Sequence, residues 1–185
     1  MDSTRSGVVR RVVAYMLMSL DGVAEEPSDF ITEWDDVMDD NLARVIATQD
    51  TVLLGRHMYE EWARFWPESD IEPFASFINA VPKYVVTSSE LTTPWSNCSR
   101  VDGDLAAVVA ELKSADGGDI GVHGSIALTQ SMLEAGLVDD LHLVVAPVLQ
   151  GHGRPLFVDR TSVPLTLTSC VTSPSGALLL EYRVG

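Results

Sequence analysis

Three short segments carry residue types suited to chemistry: Leu53-Leu54-Gly55-Arg56-His57-Met58, Val85-Val86-Thr87-Ser88-Ser89 and Gly121-Val122-His123-Gly124-Ser125-Ile126. In each, an apolar run short enough for one buried strand ends on glycine or hydroxyl residues. Helix-period sequence follows Gly55 and Ser125. A helix start exposes N–H groups that lack an intrahelical partner, together with a partial positive charge, and so suits phosphate or pyrophosphate. Arg56 adds a planar, permanently charged fork. Thr87, Ser88 and Ser89 add hydroxyls that can bond phosphate or ribose. Each segment alone also reads as a tight turn or a polar loop. Three of them at strand carboxyl ends match the ligand position of open α/β sheets and point to a nucleotide cofactor.

Other chemistries are absent from the sequence. No P-loop, G-x-G-x-x-G, G-x-S-x-G, H-E-x-x-H or C-x-x-C occurs. His57, His123, His142 and His152 show no metal-ligand spacing, so no metal is expected. Cys98 and Cys170 lie far apart and read as reduced thiols. The chain has 27 acidic against 12 basic side chains, a net charge of −15. Such a surface repels nucleic-acid backbones and anionic membranes. With 46% hydrophobic residues the chain can bury a core, which excludes intrinsic disorder. Arg5, Arg10 and Arg11 before Val12–Met18 imitate a signal peptide, but Ser19-Leu20-Asp21-Gly22 follows in place of a small-residue cleavage site. The expectation is a cytoplasmic protein whose first strand is buried.

The elements that must position these segments alternate between strand and helix, as in α/β proteins. The pattern predicts strands over Val8–Leu17, Thr51–Leu54, Tyr84–Thr87 and Ile120–Val122. It predicts helices over Asp39–Thr48, from Gly55 through Phe65, over Leu105–Ser114 with Asp104 as N-cap, and from Ser125 to Ala135. Residues 66–82 read as irregular. The C-terminal third changes character: Asp140–Ala146, Leu165–Thr172 and Ala177–Val184 are strands without helices between them, the last two joined by a turn at Pro174-Ser175-Gly176. The expected architecture is a single three-layer αβα domain spanning 1–185, its mostly parallel sheet finished by antiparallel strands.

With Met18-Ser19-Leu20-Asp21-Gly22, Leu54-Gly55-Arg56-His57-Met58-Tyr59-Glu60, Lys83–Ser88, Gly121–Ser125 and Leu137–Leu141 in this order, followed by Pro147, Gly151, Gly153, Leu156 and Phe157, the chain resembles the dihydrofolate reductase superfamily. It is most similar to the group containing the reductase domain of bacterial riboflavin biosynthesis. The resemblance implies an NADPH-binding reductase fold. It places Arg56 with Ser88-Ser89 at the adenosine 2′-phosphate, the Gly124-Ser125 turn at the pyrophosphate, and Ser19, Asp21 and Gly22 beside the nicotinamide. Gly55, His57, Met58, Thr87, His123 and Ile126 flank these positions and complete the implied cofactor site. It also implies a homodimer paired through the C-terminal strands.

The departures narrow the substrate. Dihydrofolate reductases carry Gly-Arg-x-Thr where this chain has Met58, and Gly-Gly where it has Gly124-Ser125. Their Arg that grips the folate glutamate aligns with Pro82, so folate loses its charged anchor. Their helix carboxylate lies a few residues past a Trp; Asp39, five residues after Trp34, matches that spacing best and is the candidate catalytic acid. Acidic residues ahead of Leu42 equally favour a helix start. Met38, Trp62, Phe65 and Trp66 read as core ahead of cleft lining. The expected activity is hydride transfer from NADPH to a small heterocycle of pteridine or pyrimidine type. The alternatives are the ribosylaminopyrimidine-phosphate reductase of riboflavin biosynthesis, with Arg154 as phosphate anchor, and a non-catalytic NADP-binding module.

Overall fold

The computed structural model describes residues 9–158 and 162–185. Its strands are β1 (Val12–Ser19), β2 (Gln49–Gly55), β3 (Lys83–Val86), β4 (Cys98–Val101), β5 (Asp119–His123), β6 (Asp140–Ala146), β7 (Leu165–Thr172) and β8 (Leu178–Val184). Its α-helices are α1 (Asp36–Ile46), α2 (Arg56–Phe65), α3 (Phe74–Ala80), α4 (Leu105–Ser114) and α5 (Ile126–Glu134). The strands form one eight-stranded sheet ordered β4-β3-β2-β5-β1-β6-β8-β7. From β4 to β6 all pairings are parallel, while β8 runs antiparallel to both β6 and β7. The αβα layering and the antiparallel finish agree with the sequence expectation.

β1 is apolar at nearly every position because both of its faces are covered. Val12, Ala14 and Met16 pack with Val109 of α4 and Leu128, Met132 and Leu133 of α5. Val13 and Tyr15 face the opposite layer, with Met38, Leu42, Val45 and Ile46 of α1 and Phe74 and Ile78 of α3. Three consecutive leucines in β8 divide in the same way: Leu179 is buried against the α1 side, while Leu178 and Leu180 are half-buried on the α5 side.

Several boundaries and two elements differ from expectation. β1 begins at Val12; the predicted start at Val8, like Arg5, lies outside the described residues. α1 starts three residues early because Asp35 caps it, accepting from the N–H groups of Val37 and Met38 at 3.1 Å. The stretch read as irregular contains α3, whose Phe74, Ala75 and Ile78 are buried. β4 was not expected, since its four residues include an exposed Ser99 and Arg100. It is an edge strand that never required an apolar pattern.

A polar row crosses the sheet beneath α1. Tyr15 is in register with His123 on one side and His142 on the other, and His142 is in register with Glu181, which pairs with Arg44 of α1. At its far end His123 Nε2 lies 2.7 Å from Gln49 Oε1. Gln49 reaches across Gly121, where a Cβ would stand 2.1 Å from Gln49 Oε1 and 2.8 Å from His123 Nε2. Gly121→Ala therefore displaces the Gln49 amide and leaves a fully buried imidazole without its partner. Chemical denaturation should show a loss of about 2–4 kcal/mol. An unchanged midpoint and slope would mean that the amide can leave without consequence.

Candidate functional site

Every segment singled out from the sequence lies at the carboxyl edge of the parallel strands. The edge has a break in winding between the neighbouring strands β2 and β5. α2 leaves β2 toward β3 and packs Met58 and Trp62 on the α1 face, whereas α5 leaves β5 toward β6 on the opposite face. Diverging helices open a crevice at such a switch point. Its floor is closed by one hydrogen bond, Gly55 N–H to Ser125 Oγ at 3.0 Å.

Both helices bordering the crevice start without a side-chain cap, α2 after Gly55 and α5 after Ser125. By contrast, α1 and α4 are capped by Asp35 and Asp104. The first-turn N–H groups of α2 (Arg56, His57, Met58) and of α5 (beginning with Ile126) are thus left for a ligand, which suits phosphate groups. Gly124, at φ +65, sits between these starts, and a Cβ there would stand 2.9 Å from Trp62 Cζ2 and 3.2 Å from Met58 Cε. Met58, standing where a Thr is usual, therefore packs against the Gly124 turn. His57 is exposed, 3.5 Å from Glu61 Oε1.

Arg56 is half-exposed, with its Nε donating to Glu60 Oε1 at 2.8 Å. On the neighbouring strand end, Thr87 Oγ1 accepts from Ser89 N–H at 3.1 Å, and Ser88 and Ser89 are exposed. Arg100 Nη1 donates to the Ser88 carbonyl at 2.8 Å, with Glu90 and Asp102 carboxylates at 3.8 and 3.9 Å. The sequence reading missed Arg100. Its only signal was the scarcity of cations, and the strand carrying it had gone unrecognised.

Three of the implied cofactor-site residues have side chains committed within the protein. Ser19 is fully buried; its Oγ donates to Asp21 Oδ1 at 2.5 Å and accepts from Val23 N–H at 3.0 Å. Asp21 also accepts from the N–H groups of Gln150 (3.0 Å) and Gly151 (2.7 Å), tying the loop after β1 to the loop after β6. His123 is buried among Tyr15, Phe74 and Phe77; burial, helped by His142, pushes its pKa down to about 3, so it is neutral. These positions retain their place at the crevice edge, with their backbones to offer. Gly22, at φ +87, has open space around it and completes the turn by donating its N–H to the Ser19 carbonyl at 2.9 Å.

Asp39 lies in the first turn of α1, half-exposed, with Oδ1 accepting from Trp34 Nε1 at 2.7 Å. Trp62, Trp66 and Phe74 form an edge-to-face cluster with Phe77 tilted against Phe74, and Met38 is buried, so Met38, Trp62 and Trp66 pack into the core as expected; Phe65, read as core with them, is instead exposed at the end of α2. Lys83 cannot replace the anchor missing at Pro82. Its ammonium is buried, donating to the carbonyls of Ile78 (2.7 Å) and Val81 (2.9 Å) at the end of α3, 4.6 Å from the Trp95 ring centre. Among the described residues no cluster suited to a metal ion occurs, and no helix is long and apolar enough to cross a membrane.

The Asp21 clamp has a pH signature. Donation by Ser19 Oγ, then by the Gln150 and Gly151 amides, holds its carboxyl at about 2. A depressed folded value means that the clamp is fully present above the ordinary carboxyl pKa, about 3.9, and is lost as pH falls through about 2. The amide shifts of Gln150 and Gly151 should titrate with that low midpoint, and Asp21→Asn should abolish the transition. A midpoint at the ordinary carboxyl value would contradict the clamp.

Comparison with known proteins agrees with this fold. The RibD C-terminal domain family matches residues 10–179. The uncharacterized protein YyaP of Bacillus subtilis is 25% identical over 181 residues, covering 94% of this chain and 95% of YyaP. Among solved structures, a Shewanella sp. PV-4 protein provisionally assigned to riboflavin biosynthesis superposes with TM-score 0.78 at 18% identity, covering 95% of this chain and 99% of that one. Dihydrofolate reductase from Enterococcus faecalis, solved with NADP(H), gives TM-score 0.64 at 14% identity, covering 95% and 96%. These likenesses establish the shared fold, and the family match over most of its length shows that this chain belongs to the RibD C-terminal domain family.

Proposed function

We propose that the chain is an NADPH-dependent reductase that transfers hydride to a small pteridine- or pyrimidine-type heterocycle, and that it is not an efficient dihydrofolate reductase. The observation that carries this reading is the pair of uncapped helix starts, α2 and α5, joined by the Gly55–Ser125 hydrogen bond at the switch point. The residues present fit the cofactor: the N–H groups around Gly124-Ser125 suit its pyrophosphate, and Arg56, Arg100, Ser88 and Ser89 suit the 2′-phosphate. When bound, NADPH supplies the hydride, and the chain's own residues bind, orient and exclude water. Asp39, at the start of α1, is the proposed proton donor.

The choice of NADPH over NADH follows from local charge. The overall −15 opposes a dianionic phosphate, so only the local cations can reverse the sign. Arg56→Ala should weaken NADPH about ten- to hundredfold, leave NADH nearly unchanged, and flatten the salt dependence of NADPH binding. Arg100→Ala should act in the same direction. Equal weakening of both cofactors, measured by titration, would show that the cradle is misplaced.

A second reading, reduction of a ribosylaminopyrimidine phosphate, is favoured by Arg154. It is exposed on the loop after β6, its N–H bonded to Glu25 Oε2 at 3.0 Å and its guanidinium without a partner among the described residues. NADPH consumption with phosphorylated and unphosphorylated pyrimidines and pterins separates the two readings. Cofactor binding without turnover on any of them identifies a non-catalytic module.

A homodimer through the C-terminal strands is part of the same proposal. β7 ends the sheet, and seven of its eight residues are exposed, among them Leu165, Leu167 and Val171. An apolar edge strand left uncovered favours pairing with a second chain. Light scattering at micromolar concentration should show a dimer, and Leu167→Lys should shift it toward monomer. A monomer-sized wild-type particle would refute the assembly.

A further inference from the structure

Arg56, on which the cofactor choice turns, is already engaged. Its Nε donates to Glu60 Oε1 at 2.8 Å, with the two side chains 41% and 33% exposed. Residues i and i+4 face each other along a helix. The backbone of Glu60 is fixed here because Tyr59 and Ala63, on the buried side of α2, pack under it with Val85 of β3. The carboxylate can leave Arg56 only by rotating about its own side-chain bonds, and it stays within a turn of the helix start in any rotamer. Arg100 has acidic neighbours too, but Glu90 and Asp102 stand off at 3.8 and 3.9 Å and its hydrogen bond goes to a carbonyl. Glu60 is the carboxylate in direct contact with a cradle cation.

We infer that Glu60 is a specificity-determining residue, which competes with the adenosine 2′-phosphate for Arg56 and thereby limits the preference for NADPH over NADH. The inference rests on the placement of the 2′-phosphate at Arg56 proposed above. A phosphate dianion entering there must displace the carboxylate from the guanidinium and then sit beside a like charge. Exposed i,i+4 ion pairs are weak, so displacement occurs, at a loss of affinity. NADH presents a neutral hydroxyl at this position and leaves the pair intact.

The test titrates NADPH, NADH and adenosine 2′-monophosphate into the full chain as wild type, Glu60→Gln, Glu60→Ala and Glu61→Gln. Glu61 lies on the same helix and its replacement makes the same change in net charge without touching Arg56. Both Glu60 variants should tighten NADPH and adenosine 2′-monophosphate about three- to tenfold, with NADH and the Glu61 variant within about twofold of wild type. If wild type prefers NADPH and both Glu60 variants leave its affinity unchanged or weaker, Glu60 is not a competitor. Equal tightening by Glu60→Gln and Glu61→Gln would assign the effect to net charge and overturn the inference. A wild type without preference for NADPH would refute the cofactor reading itself, and the role of Glu60 with it.

Discussion

Two neighbouring parallel strands whose helices leave to opposite faces must part at their ends, and in this chain the hydrogen bond from Gly55 N–H to Ser125 Oγ spans the gap. The rest of the site depends on that constraint. Ser125 turns its hydroxyl to β2 and does not cap its own helix, so α5 starts with open donors. Gly55 has no side chain to cap α2, so that helix starts open as well. The left-handed Gly124 lets the turn lie on Met58 and Trp62 with no Cβ between them. One local solution thus holds the crevice together and leaves both of its walls suited to an anion.

The electrostatics divide the molecule in two. Five of its twelve cations are held in structure: Arg10 with Asp50, Arg11 with Asp140, Arg44 with Glu181, Lys113 with Asp139, and Lys83 at the end of α3. At the carboxyl edge, Arg56 and Arg100 keep a partly exposed guanidinium beside the Ser88-Ser89 turn. In a chain at −15, an anion meets attraction only at short range, within about a Debye length of roughly 8–10 Å. Any preference among anionic ligands must then rest on a few side chains close to the charge.

The sequence made the architecture legible wherever burial imposes a pattern. The near-continuous apolar run of β1, the Gly-to-helix junctions at Gly55 and Ser125, and the Asp104 cap all read directly. α3 was hidden between Pro73 and Pro82, and its buried positions Phe74, Ala75 and Ile78 are too few to set a period. β4 was hidden because an edge strand needs no buried stripe, and Arg100 was lost with it. The commitments of Asp21 and His123 were not legible either. Their partners Gln150, Gly151 and Gln49 lie far along the chain, and no local spacing encodes such contacts.

The polar row beneath α1 shows how the fold keeps such a site rigid without an all-apolar floor. Tyr15, His123 and His142 stand side by side in the middle of the sheet, where apolar residues would pack at less expense. Tyr15 Oη, Gln49 Nε2 and His142 Nδ1 are buried without protein partners among the described residues, and each unpaired group costs about 1–3 kcal/mol. Burial keeps both imidazoles neutral by lowering their pKa, so the row avoids the larger penalty of a buried charge. What offsets the remainder is placement: His123 packs against Phe74 and Phe77 of α3, and Glu181 pairs with Arg44 of α1. The sheet is therefore tied to α1 and α3 by directional contacts in addition to burial. A slide of either helix would break specific bonds as well as repack side chains. Asp39 and Trp34 ride on the start of α1, so the same contacts fix the one candidate acid relative to the crevice.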